Sequence, residues 1–186
     1  ESLTDPSYKG QILILTYPLI GNYGVPDKKY WESDGIKASG LIVSNYIDTP
    51  SHFQSKMTLS QWLKKENIPA LEIADTRLLT QKIRAKGTLL GKIIFNKNIN
   101  FYDPNLENLV AEVSTKKIII DKPNVSSYST PGMYKVDTKG KTKIILLIDC
   151  GAKQNIKRCL LKRGLTVITV PWDFDPFDLR SHLKGL

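Results

Sequence analysis

Cys150 and Gly151 stand where an apolar run gives way to a helical one, the position at which a strand-to-helix elbow would present a nucleophilic thiolate. Such an elbow also requires a small residue two places earlier, and Ile148 occupies that place. A thiolate nucleophile further needs a base, and the histidines of the chain are His52 and His182, neither in a motif that would bring it to a cysteine. Cys150 is therefore read as structural. Cys159 lies nine positions on, a spacing that fits neither a redox CxxC pair nor a zinc knuckle. Both cysteines fall in apolar segments and are expected to be buried, reduced thiols of a cytoplasmic protein. Asp173, Asp175 and Asp178 lack the glycine and terminal glutamate of a calcium loop, so capping around Pro176 explains them better than a metal. The two histidines likewise have no ligand partners at useful spacing, and no metal is expected.

The remaining polar candidates are positional. Ser7 follows Asp5-Pro6, a turn-forming pair. Lys153 opens the helix after Gly151, where a glycine turn and a helix N-terminus favour anions; it either faces an anionic ligand or partner, or is a solvated first-turn lysine. Arg77 and Arg84 are seven apart and share a helix face, so they either bridge to a partner or pair with carboxylates of their own domain, the second being favoured.

Local patterns supply the elements that must hold these residues. QILILTY, GLIVSNY and TLLGKIIF are β-rich runs bounded by turn residues, predicting strands over Ile12 to Tyr17, Leu41 to Asn45 and Leu89 to Phe95. Thr58 with Gln61 forms a capping box ahead of a helix that buries Leu59, Trp62 and Leu63. A second helix begins near Asp75 or Thr76, buries Leu79 and Ile83, and stops at Gly87. Further on, KIILLID, AKQNIKRCLLKR and LTVITV read as strand, helix and strand, with Gly164 as the helix stop. Ala152, Ile156, Cys159 and Leu160 make one apolar stripe on that helix. This order is that of a parallel βαβ unit. Residues 1–120 thus form a mixed α/β region, 121–142 a Lys-, Ser- and Pro-rich linker, and 143–186 the opening of a doubly wound domain.

Composition restricts the function classes. Apolar residues make up 41% and charged residues 24%, the balance of a protein with a packed core. The net charge of +9 comes from lysines spread along the chain, without an arginine-rich helix, finger or aromatic RNA-binding strand, so nucleic acid is not expected as a partner. No apolar run approaches the roughly 20 residues of a bilayer span, and no membrane partner is expected.

Five separated stretches, TDPSYKGQ at Thr4, TYPLIGNYG at Thr16, DTRLLTQKIRAKG at Asp75, AEVSTK at Ala111 and DCGAKQNIKRCLLKRG at Asp149, occur in the order found in glutamine-dependent carbamoyl phosphate synthetase. The chain resembles the small-subunit, glutamine amidotransferase portion of that family, and YKGQILILTYPLIGNYG looks most like the eukaryotic pyrimidine-pathway form. The resemblance implies a small-subunit N-terminal domain followed by the first βαβ of a class I amidotransferase domain. It implies that ammonia freed from glutamine is combined elsewhere with bicarbonate and two ATP, for pyrimidine or arginine biosynthesis. It assigns Ser7, in the DPSY motif, to glutamine contact, and leaves Lys153 as a second candidate facing the glutamine carboxylate. ATP and magnesium would belong to the synthetase portion, with no cofactor in this chain, and the partner would be the synthetase subunit or domain. The reading expects further chain before Glu1 and after Leu186, the latter carrying the nucleophilic Cys and its His and Glu partners. The 186 residues alone are therefore expected not to hydrolyse glutamine. A glutaminase assay checks this: turnover that disappears in Cys150→Ser would show that the wrong cysteine had been set aside.

Overall fold

The computed structural model describes residues 2–123 and 143–178, so most of the expected linker and His182 lie outside the described residues. The chain divides into two compact units, Glu1–Leu109 and Val110–Leu186. Both mix helices with strands, and the class is α/β.

In the first unit three strands, β1 (Ile12–Leu15), β2 (Gly40–Val43) and β3 (Ala70–Glu72), form a parallel sheet in the order β1-β2-β3. The first two are the expected ones, slightly shorter. The third comprises Ala, Leu and Glu, all exposed. It has no β-branched residue to announce it, and the backbone holds it: Leu41 N donates to Pro69 O and Ile73 N to Val43 O. The expected strand over Leu89 to Phe95 does not form. Its side chains serve instead, Ile93 Cδ1 lying 3.0 Å from where a Cβ on Gly40 would stand. The absent side chain at Gly40 makes room for Ile93, so this segment covers the sheet without joining its ladder.

Helix α1 (Leu59–Lys65) carries the expected capping box, with Thr58 Oγ1 accepting from Gln61 N and Gln61 Oε1 accepting from Thr58 N. It buries Leu59, Trp62 and Leu63 against Leu41 and Val43 of β2, with Val25, Ala38 and Leu3 completing the core. Burying each leucine or valine side chain of this set contributes about 1.5–3 kcal/mol relative to exposure. The ring of Trp62 lies 4.6 Å from that of Trp31. Helix α2 (Thr76–Lys86) starts where Asp75 Oδ1 accepts from Leu78 N and ends at Gly87, with φ 79°. Leu79 and Ile83 are only half-buried.

One carboxylate joins α1 to the irregular connection between β1 and β2. Glu66, the last cap of α1, accepts from Trp62 Nε1 with one oxygen and from Ile36 N (2.6 Å) with the other. Tyr46 pins the connection after β2 in a similar way, its hydroxyl donating to Asp48 and accepting from Ser60 N. Partial burial, and then the Asp48 carboxylate, raise the Tyr46 pKa above its ordinary value.

The second unit contains α3 (Leu109–Val113), which begins on the last residue of the first, then β4 (Ile119–Asp121), β5 (Ile144–Asp149), α4 (Gln154–Lys162) and β6 (Thr166–Pro171). β5 and β6 pair in parallel with α4 between them in sequence, as expected. β4 was not anticipated: it pairs antiparallel with β6, making the order β4-β6-β5. Residues 110–120, read from sequence with the first region, therefore make their contacts here. The central strand is the buried one, Val167, Ile168 and Val170 being wholly enclosed. The apolar stripe of α4 is less covered than its spacing suggested, since Ile156 is 49% exposed. With two of the three strands at edges, there is little sheet face for the helix to cover.

The turn between β5 and α4 is organised by Asp149. Its Oδ1 accepts from Gly151 N (3.1 Å) and Ala152 N (2.9 Å), and its Oδ2 from Thr115 N (2.7 Å). Gly151 takes φ 93°, which a side chain would resist.

Removing either carboxylate should have a defined cost. Glu66→Ala strands two part-buried donors and should destabilise the first unit by about 2–4 kcal/mol, read from denaturant midpoints; an unchanged midpoint would refute the role given to Glu66. Asp149→Ala should abolish hydrogen-exchange protection at Thr115, Gly151 and Ala152 together, whereas loss at only one amide would mean that the contacts are independent.

Candidate functional site

The DPSY segment builds its own pedestal. Pro6–Tyr8 form a single helical turn whose cap, Asp5, accepts from Ser7 N through Oδ1 at 3.0 Å, while Tyr8 N and Lys9 N return to the carbonyls of Asp5 and Pro6. Leu3, Thr4, Asp5 and Pro6 are buried, and Ser7 alone of this run is exposed. Proline removes one backbone freedom and the aspartate cap removes another.

The pedestal is tied down on its other side by the connection between β1 and β2. Thr4 Oγ1 accepts from Glu32 N (3.0 Å), Ser33 Oγ donates to Thr4 O (2.6 Å), and Lys37 N donates to Leu3 O (2.8 Å). Since Ile36 is held by Glu66, a continuous polar path runs from the core helix α1 to Ser7. Lys37 also meets Asp34 at 2.6 Å, and this hydrogen bond holds the Asp34 carboxyl below the usual carboxylate range. Ser7 Oγ makes no hydrogen bond among the described residues, so its donor and acceptor are both available to a ligand. The turn comes before the amino end of β1, to which Lys9 and Gln11 connect it through contacts with Ala38 and Ser39.

Lys153 occupies the cap position of α4, half-buried and without a side-chain cap bond. It lines a water-sized hollow of about 20 Å³ together with Asp149, Lys157 and Thr169. The two amides that a glycine turn would offer an anion, Gly151 N and Ala152 N, already donate to Asp149. Asp149 is thus a built-in occupant of the anion position, a role that the sequence reading missed. The signal was there in the run Asp-Cys-Gly-Ala, an acid two and three residues ahead of the turn amides that precede the helix.

The other candidates fall into place separately. Cys150 is exposed rather than buried, because it follows the last residue of β5 at the open end of the sheet; its N donates to Ile148 O. Cys159 is half-buried on α4, and both thiols are free. His52 lies against the rings of Tyr23 and Phe53, with centroids at 5.3 and 4.7 Å and both rings tilted to it. Asp175 caps its turn by accepting from Phe177 N, the role expected around Pro176. Arg77 and Arg84 share a face of α2 as expected, but among the described residues neither forms an ion pair, so the favoured pairing with local carboxylates is not what they do.

Residues 1–93 match the family described as carbamoyl-phosphate synthase small chain, CPSase domain. The chain is 46% identical over 185 residues to the mitochondrial carbamoyl-phosphate synthase [ammonia] of Mus musculus. It is 45% identical over 189 residues to multifunctional protein pyr1-3 of Dictyostelium discoideum, and 39% over 209 residues to multifunctional protein URA2 of Saccharomyces cerevisiae. Each alignment covers 94% of this chain but only 11%, 8% and 9% of those proteins, so the chain spans about a tenth of the length of the curated relatives it matches. The chain belongs to the carbamoyl-phosphate synthase small chain family.

Proposed function

We propose, from this family membership, that the chain is part of a glutamine-hydrolysing carbamoyl phosphate synthetase of the eukaryotic pyrimidine-pathway type. In this reading the first unit is the small-subunit N-terminal domain and the second opens a doubly wound class I amidotransferase domain. Ammonia from glutamine is joined to bicarbonate with two ATP by the synthetase subunit or domain, which also holds ATP and magnesium and is the partner of this chain. Cytoplasmic residence belongs to the same proposal; the name of the mouse relative says mitochondrial, and imaging of the tagged full-length protein distinguishes the two. Among the described residues no helix is long and apolar enough to cross a membrane.

The observation that carries the glutamine assignment is Ser7: an exposed hydroxyl on a turn with buried neighbours, held by Asp5 and with no bond of its own among the described residues. A hydroxyl fixed in this way orients an amide substrate at small entropic cost, because the ordering was completed on folding. Lys153 holds a weaker place as a contact for the glutamine carboxylate, given that Asp149 already fills the anion position beside it. Cys150 is not assigned the chemistry. The amides next to it that could serve as an oxyanion hole are committed to Asp149, and a tetrahedral intermediate needs such donors free.

A second reading takes its support from the word ammonia in the name of the mouse relative. There the chain is a non-catalytic docking piece joining a glutaminase-type domain to the synthetase. The full-length protein, assayed for carbamoyl phosphate synthesis from glutamine and from ammonium, separates the two. Ser7→Ala should lower glutamine-dependent kcat/KM by about tenfold or more while leaving the ammonium reaction intact. Equal loss with both nitrogen sources, or no loss with glutamine, would remove Ser7 from the site. A wild-type protein that uses only ammonium would favour the docking reading.

A further inference from the structure

At the other end of the first sheet, α2 leaves β3 and packs back against β1. Arg77, Thr80, Gln81 and Arg84 recur at i, i+3, i+4 and i+7, one stripe along the helix. With Thr16, which directly follows the last residue of β1, this stripe lines an open cleft of about 280 Å³. Open parallel sheets receive their ligands beyond the carboxyl ends of their strands, and the cleft opens there. Its lining contains no carboxylate.

The donors are available. Arg77 and Arg84 are exposed, and among the described residues neither is engaged in an ion pair or hydrogen bond. Thr80 Oγ1 already donates to Thr76 O at 2.8 Å, which leaves the two guanidinium groups, the Thr16 hydroxyl and the Gln81 amide facing the cleft. Seven residues of helix separate the two arginine Cα atoms by about 10 Å along the axis. Each planar guanidinium suits one carboxylate or phosphoryl group in a bidentate contact.

We propose that this cleft binds a ligand carrying two oxyanionic groups, one for Arg77 and one for Arg84, with Thr16 and Gln81 supplying neutral donors between them. The chemistry is that of a diphosphate or of a pair of carboxylates, whether in a small molecule or in adjacent acidic side chains. It does not depend on the glutamine assignment, because Ser7 precedes the amino end of β1 and the cleft lies past its carboxyl end.

Calorimetric titration of the full-length protein tests this with pyrophosphate, succinate and a blocked tetraglutamate peptide, ionic strength being matched with chloride. At least one probe should bind saturably, and the double variant Arg77→Gln, Arg84→Gln should weaken it by about tenfold or more. Gln81→Leu should weaken it less, and Lys97→Gln, an exposed lysine outside the cleft, should leave it unchanged. Saturation by pyrophosphate alone identifies a phosphoryl ligand, by succinate a small dicarboxylate, and by the peptide alone a carboxylate pair on another protein. Saturable binding with no component lost in the double variant, a component equally sensitive to Lys97→Gln, or no saturable binding of any probe would overturn the proposal.

Discussion

Parallel strand pairing is the constraint on which both units rest. A parallel neighbour cannot be reached by a tight turn, because the chain must travel from the carboxyl end of one strand to the amino end of the next. The first unit makes that journey twice, through residues 16–39 and 44–69, and only the second passage contains α1. The first passage has little regular structure of its own and is held by polar contacts, those of Thr4, Ser33 and Glu66 above all. In the second unit the journey from β5 to β6 is made by α4. Each sheet consequently has one enclosed central strand, β2 or β6, and the surrounding pieces are organised to return to it.

Two carboxylates resolve the same difficulty in different units. An irregular crossing leaves backbone N–H groups without ladder partners, and burying them unpaired would be costly. Glu66 accepts from Ile36 and an indole, and Asp149 accepts from three amides drawn from two segments. A carboxylate suits this use better than an amide because it has acceptors only, so both oxygens can receive donors without a competing N–H.

Local chemistry was the part of the fold visible in the sequence. Thr58 with Gln61, Asp75 with Gly87, and the apolar run into Asp149 each carry their own start or stop signal, and each produced the expected element. The failures are non-local. Residues 89–95 have strand composition, yet their task is to cover Gly40 with Ile93. Ala70–Glu72 has no strand composition, yet β2 recruits its backbone. β4 pairs with a strand more than forty residues away, beyond the reach of any window of local pattern. For the site, the Asp-Pro-Ser turn was legible as a turn because proline and aspartate act on their nearest neighbours. That Thr4 and Leu3 anchor it to residues 32–37 required the folded chain.

The two thiols, set aside as chemistry, differ in a useful way. Cys150 is exposed one residue from the Asp149 acceptor, and Cys159 is half-covered on α4. Between these two, a thiol-reactive fluorophore added to the 186 residues will thus find Cys150 first and sit at the turn where three amides converge on one carboxylate. Its emission and anisotropy would report the order of that turn within these 186 residues, with no foreign cysteine introduced.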